Sequence, residues 1–386
     1  MSFSFNNRDW GDLRDNVVSV CNKFGESYWR ELDKNRSYPM DFVNTLTNAG
    51  YLSSLIPKKY GGTELPIRAA SIILEEIHRT GGNGVACHAQ MYTMGSLLKH
   101  GNISLKEKYL PEIASGKIRL QAFGVTEPTS GSDTLSIKTT AKKNGDNYII
   151  NGQKVWTSRA EYSDLIMLLA KTSNNLDNKK QNLSLFLIDM RPYLNKQITI
   201  KPIRTMINHS TTEVFFDNLK INKNCLIGDE GKGFSYILDG MNAERILIAS
   251  ECIGDAKYFI EKSVKYSSER KVFNKLLGSN QAIQFPLAES YAKLRAAELM
   301  VIEACRLYDT DKKCGEEANI AKLLSAEASW HAAESAMQTF GGFSFSEEYN
   351  IERKFRETRL YQIAPVSTNM ILAFLSHKIL GMPRSY

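Results

Sequence analysis

Between Asn147 and Ile221 the chain carries five short segments: NYIINGQKVWTS (147–158), SDLIMLLAKT (163–172), LSLFLIDM (183–190), ITIKPI (198–203) and TTEVFFDNLKI (211–221). They are rich in β-branched and aromatic residues, which suit a pleated, half-buried surface, and clusters of Asn, Gly, Asp and Lys separate them. The block therefore reads as an antiparallel sheet domain. No helix-period stretch intervenes, which argues against a doubly wound dinucleotide fold. The polar insert SNNLDNKKQN (173–182) reads as a mobile hairpin or loop.

Helical patterns flank this block. From about Leu13 to Ser115 apolar residues recur at helix spacing, as in AASIILEEIHRTGG (69–82), which closes on glycines able to take a positive φ. HAQMYTMGSLL (88–98) reads either as helix core or as one wall of a ligand cavity. After Gly231 the pattern is helical again over 233–268, where two glycines weaken continuity, and over 280–309, 319–340 and 367–380. Four such helices pack as a bundle, each hiding one face against the others. The expected fold is mostly α with a central β domain: an N-terminal helical domain (1–120), a middle β domain (121–230) and a C-terminal helical bundle (231–386).

The 386 residues, 42% apolar and 24% charged, describe a soluble globular protein with a large core. Lys plus Arg number 49 against 42 acids, and this net charge of +7 is scattered rather than gathered into a stripe. That distribution argues against nucleic acid and is compatible with an anionic small ligand such as a phosphorylated cofactor. Six dispersed cysteines form no CxxC pair, so neither a zinc site nor a disulfide scaffold is expected, and no metal is assigned. The N-terminal stretch shows no secretory pattern and no apolar run is long enough to span a membrane, so a cytoplasmic location is expected.

Two longer motifs go further. QAFGVTEPTSGSD (121–133) with NGQKVWTS (151–158), and AMQTFGGFSFSEEYNIERKFRETRLYQI (336–363), closely resemble the two signatures of the acyl-CoA dehydrogenase flavoprotein family. GDEGKGF (228–234) and ERKVFNKLLGSNQ (269–281) fall in family order between them. The resemblance implies helices, a middle antiparallel β-barrel and a C-terminal four-helix bundle, with FAD as cofactor. It places Phe123, Val125, Thr126 and Ser158 at the flavin ring, Trp156 packed on it, and Ser132 at its pyrophosphate and at the substrate. Arg270, Phe273 and Gln281 fall where relatives reach a flavin held mainly by a neighbouring subunit. Gln338, Gly341 and Gly342 match the partner surface that closes over the dinucleotide, and Ser367 and Asn369 are assigned to the cofactor as well. A homotetramer, or at least a homodimer, is implied.

The implied chemistry removes a proton α to a thioester while a hydride leaves the β-carbon for flavin N5. The substrate is an acyl-CoA or an acyl-carrier-protein thioester, and an electron-transfer flavoprotein is the expected acceptor. In most of the family the base is a glutamate in a stretch matching Ala364-Pro365-Val366-Ser367 here, and Pro365 cannot take a proton. In the isovaleryl- and long-chain-type branches the glutamate instead precedes an arginine on the first long helix after the sheet. NAERILIA (242–249) resembles that arrangement, so Glu244 is assigned as base, with Asn242, Arg245, Met91 and Met94 at the substrate. Two alternatives keep the fold: a non-oxidative, desulfinase-like enzyme and a catalytically silent flavin-binding scaffold.

Overall fold

The β-branched segments become strands and the helix-period segments become helices. The structure is a computed structural model that describes residues 5, 9–174 and 178–384. The chain opens with α1 (Gly11–Cys21), α2 (Glu26–Asn35), α3 (Met40–Asn48), α4 (Ile67–Arg79), α5 (Val85–His100) and α6 (Ile103–Ala114). The strands are β1 (Leu120–Gly124), β2 (Thr140–Asn144), β3 (Asn147–Ser158), β4 (Leu165–Lys171), β5 (Leu183–Asp189), β6 (Ile198–Pro202), β7 (Thr211–Asn222) and β8 (Leu226–Ile227). There follow α7 (Gly233–Glu269), the hairpin β9 (Lys271–Val272) and β10 (Lys275–Leu276), then α8 (Gln281–Asp309), α9 (Gly315–Phe340), α10 (Ile351–Thr358) and α11 (Thr368–Phe374). Part of the expected mobile loop, residues 175–177, lies outside the described residues.

Packing groups these elements into two units, one of Arg36–Leu65 and Val85–Met241, the other of Met1–Asn35, Pro66–Gly84 and Asn242–Tyr386. The first unit is built on the sheet, ordered β6-β7-β3-β2-β4-β5-β8, with β1 pairing β4 off that path. The sheet is mixed rather than antiparallel throughout, because β1 runs parallel to β4 and β2 meets β4 in parallel at Thr140 and Lys171. Parallel neighbours need a long connection, and residues 125–164 supply one between β1 and β4. Among the described residues β6 and β8 do not pair with each other, so the expected closed barrel is an open path of strands.

Strands β4 and β5 read as continuous apolar runs because both of their faces are covered. Leu165, Met167 and Leu169 enter a cluster with Leu97 of α5 and Leu110 of α6, whereas Ile166, Leu168 and Ala170 enter a second with Phe186 and Val214. The long β3–β7 pair shifts register twice, the second time between Lys154 and Thr157. That irregularity sets up the candidate site.

The second unit is helical, and its interior is unusually ionic. Arg14 of α1 donates to Glu75 of α4 at 2.7 Å, and Lys257 of α7 donates to the same carboxylate at 2.6 Å and also to Glu298 of α8. His78 accepts from the Gly84 N–H at Nε2 (2.9 Å), so its proton sits on Nδ1 and is donated to Asp255 at 2.8 Å. Lys354 of α10 pairs with the same Asp255 and donates to the Gly82 carbonyl at 3.0 Å. Helix α7 runs unbroken through its glycines. Gly254 is there because α4 comes close: a Cβ would lie 2.3 Å from the Glu75 carbonyl oxygen.

Candidate active site

In the sheet unit, β1 ends at Gly124 and the chain enters a tight turn in which Glu127 and Ser130 exchange two backbone hydrogen bonds of 3.0 Å. The Val155 N–H of β3 donates to the Thr126 carbonyl at 2.9 Å, which brings this turn against the irregular part of β3. Val125, Thr126 and Trp156 are thereby brought together. Trp156 sits at φ 60°, a left-handed conformation rare for a bulky residue, and its side chain is turned outward, leaving it 58% exposed. Its neighbours Val155 and Thr157 are buried, and the Thr157 hydroxyl oxygen is buried without a hydrogen-bond partner among the described residues. Phe123, half-buried on β1, meets Tyr92 edge-on at 5.7 Å, and Tyr92 meets His88 at 4.9 Å. An exposed indole beside a polar turn fits a flat apolar ligand with a polar rim.

The other sequence-assigned residues of this unit are placed differently from one another. Ser158 is half-buried, and Ser132 is exposed in the loop beyond Ser130. Met91 and Met94 are both buried, and Met94 lies in the apolar cluster with Leu97, Leu120 and Met167.

Lys154 and Glu127 escaped the sequence reading. The wholly buried Lys154 ammonium donates to Glu127 at 2.8 Å, and the only sequence signal was a lysine at an inward place in a strand. A cavity of about 360 Å³ beside the β2–β4 contact was also missed. Lys138, Lys171 and Lys179 line it with Ser136, Thr140 and Asn182, and among the described residues no carboxylate does, so its chemistry suits an anion.

In the helical unit Glu244 is buried at 6% exposure on α7. Arg245 donates to Asn242 at 3.0 Å, while its Nε is buried with no partner among the described residues. Burial lowers the Arg245 guanidinium below its ordinary pKa, though the Glu244 charge opposes the shift. Lys322 of α9 is wholly buried, and burial pushes its ammonium down to about 8 despite opposition from Cys252 and Glu244. Lys322 donates to the Tyr361 carbonyl and, at 2.6 Å, to the Val366 carbonyl. One buried cation thus grips the backbone on both sides of Pro365 and feels the charge of Glu244. The sequence reading missed it, since a lone lysine on a helix carries no local signal.

The remaining assigned residues are exposed, except the half-buried Ser367. Phe273, at φ 49°, is 96% exposed at the tip of the β9–β10 hairpin, and Arg270 stacks over the Phe343 ring at 5.7 Å. Gln281, Gln338 and Asn369 also face solvent, while Ser367 caps α11, its hydroxyl accepting from the Met370 N–H at 3.3 Å. Gly341 has φ 57°, and a Cβ at Gly341 or Gly342 would meet nothing within 4 Å. Neither glycine is needed to relieve crowding within the chain, which fits a surface approached from outside.

The family models for the N-terminal, middle and C-terminal domains of acyl-CoA dehydrogenases match residues 9–117, 122–219 and 231–379. The chain belongs to the acyl-CoA dehydrogenase family. It is a flavoprotein oxidoreductase of the acyl-CoA dehydrogenase type. The cyclohex-1-ene-1-carbonyl-CoA dehydrogenase of Syntrophus aciditrophicus is 33% identical over 356 residues, 92% of this chain and 85% of that protein. The CarC subunit of the caffeyl-CoA reductase-Etf complex of Acetobacterium woodii is 31% identical over 335 residues, covering 86% and 88%. A solved glutaryl-coenzyme A dehydrogenase in complex with glutaryl-CoA is 28% identical, with a TM-score of 0.90 over 99% of this chain and 98% of that one. Among the described residues no helix is long and apolar enough to cross a membrane, and no cluster of ligands for a metal is present.

Proposed function

We propose that this acyl-CoA dehydrogenase uses FAD to introduce a double bond between the α and β carbons of an acyl-CoA, with Glu244 as the base. The observation that carries the reading is the buried Glu244, whose charge is felt by the half-buried Arg245 and the buried Lys322. When bound, FAD supplies N5 as acceptor for the hydride that leaves the β-carbon. Glu244 takes the proton from the α-carbon, a task Pro365 cannot perform for want of any basic atom. Arg245, with its unpartnered Nε, is the candidate contact for a polar group of the substrate.

Val125, Thr126 and the outward indole of Trp156 would hold the flavin ring, with Phe123, Ser132 and Ser158 beside them. Arg270, Phe273, Gln281, Gln338, Gly341 and Gly342 would complete a neighbouring subunit's FAD site, with Ser367 and Asn369 also at the cofactor. Phe273 and Phe345, 96% and 76% exposed, support such an assembly, because large aromatics so open to water favour burial by a partner. The proposed state is a homotetramer, or at least a homodimer. The lysine-lined cavity would receive phosphate groups of CoA.

An electron-transfer flavoprotein is the proposed acceptor, in keeping with the name of the CarC relative's complex. That relative is called a reductase, and the same residues serve the reverse direction when electrons are supplied. The cytoplasm is the proposed location, since all six cysteines are free thiols, as suits a reducing compartment.

The test is anaerobic mixing of the purified protein with a panel of saturated acyl-CoAs while following flavin absorbance. Bleaching by at least one acyl-CoA is expected. A flavin that stays oxidised with every one of them would leave the silent scaffold as the better reading.

A further inference from the structure

Lys154 sits on β3 with no side-chain exposure, and a buried ammonium is costly unless it is paired and hydrogen-bonded. Its Nζ donates to Glu127 Oε1 at 2.8 Å and to the Val125 carbonyl at 3.0 Å. The Glu127 carboxylate also accepts from the N–H of Thr139 at 2.9 Å and of Lys138 at 2.5 Å. Between the two anchored residues, the Thr126 carbonyl is held by the Val155 N–H at 2.9 Å. Three consecutive residues, Val125 to Glu127, are therefore fixed by two consecutive residues of β3.

The place in β3 where this happens is where β3 leaves its regular pairing with β7, between Lys154 and Thr157. The ladder is given up here, and the turn is fixed instead by a side-chain cation and one amide. Burial pushes the Lys154 ammonium down to about 8, with Glu127 opposing the shift. Burial alone would raise the Glu127 pKa, but Lys154 and the two backbone donors hold it below its ordinary value. The pair is thus a matched plus and minus directly behind the turn. Removing either member leaves the other as an uncompensated charge, which acts strongly in a low-dielectric interior.

We propose that Lys154 is a positioning residue for the flavin: paired with Glu127, it fixes the Val125–Glu127 turn that meets the ring and sets the electrostatic balance behind it. The inference rests on the reading that this turn receives the flavin. Reduction adds negative charge to the ring, so an unpaired Glu127 opposes it and an unpaired Lys154 favours it.

The experiment uses full-length holoprotein carrying Lys154→Met, Glu127→Gln or both. It reads the FAD dissociation constant by fluorescence and the flavin midpoint potential against a reference dye. Lys154→Met is expected to weaken FAD binding at least tenfold. It should also disfavour reduction about tenfold, roughly 30 mV lower for a two-electron couple. Glu127→Gln should shift the potential the opposite way, and the double variant should return toward the parent. Should Lys154→Met not fold, the upward shift in Glu127→Gln carries the same test. Variants that lose thermal stability while their flavin keeps the parent's potential would overturn the inference alone. A parent that binds no flavin would overturn the inference together with the reading beneath it.

Discussion

The wholly buried Lys322 ammonium donates to the carbonyl of the half-buried Val366 across 2.6 Å. The same ammonium also holds the Tyr361 carbonyl, so it fastens a stretch that contains Pro365 rather than an acid. The pK of Lys322 is in turn affected by Glu244, the residue assigned as base. The stretch around Pro365 and Glu244, the proposed base, are therefore both coupled to a single buried lysine.

Replacing that lysine with methionine keeps the length of the side chain and removes its donors. The buried Tyr361 carbonyl is then left unpaired, costing about 1–3 kcal/mol, and the half-buried Val366 carbonyl loses its donor at a smaller cost. Lys322→Met should lower the free energy of unfolding by roughly 1–4 kcal/mol in urea titration. An unfolding midpoint equal to the parent's would show that the backbone there does not depend on the clamp.

Acid should weaken the helical unit through its buried carboxylates. Burial would raise the Glu357 pKa, but Arg353 at 2.8 Å and Lys354 at 3.2 Å hold it down to about 2. A folded-state pKa below the unfolded one means stabilisation that is complete above the ordinary carboxylate range, near pH 4.3. It is lost as the pH falls through that range toward 2, to the extent of about 3 kcal/mol. Glu75, held down to about 2 against its burial by Lys257 and Arg14, acts in the same direction. Glu357→Gln should be less stable at neutral pH and show a flatter decline in stability from pH 5 to pH 2.5, measured by urea unfolding at each pH. A decline as steep as the parent's would assign the acid sensitivity elsewhere.

How much of this was open to inspection in the sequence depended on whether the signal was local. The five β segments and the long helices were legible because strand and helix periods show within a dozen residues. The short strands β1, β2 and β8 were not, since TAKKN in β2 carries only polar and small side chains after its first residues. Helix α4 was read as an apolar helix, yet Arg68, Glu75, Glu76 and His78 are buried with its isoleucines. Their partners lie far along the chain: Glu75 meets Lys257 at a separation of 182 residues. No spacing rule reaches that distance. Lys154 and Lys322 were overlooked for the same reason, because a buried cation is recognised by its partners and not by its neighbours in sequence. The turn at Thr126 and the proline at position 365, by contrast, stood in contiguous motifs.

The lysine-lined cavity makes a separate claim on substrate affinity. Lys171→Ala and Lys138→Ala should each weaken acyl-CoA binding several-fold, with smaller effects at high salt, because phosphate contacts of this kind are screened. Isothermal titration with one acyl-CoA at two ionic strengths checks this. Equal affinity in parent and variants at low salt would remove the phosphates from this cavity.

The account turns on the carboxylate of Glu244, and its most direct test is single-turnover flavin reduction under anaerobic conditions in Glu244→Gln beside the parent. The variant keeps the shape of the side chain and loses its basicity. It should bind FAD and acyl-CoA as the parent does, while its rate of bleaching falls by at least a factor of about 100, the lower end of what a positioned base contributes. Bleaching at the parent's rate would contradict the assignment and require a different group to take the α-proton.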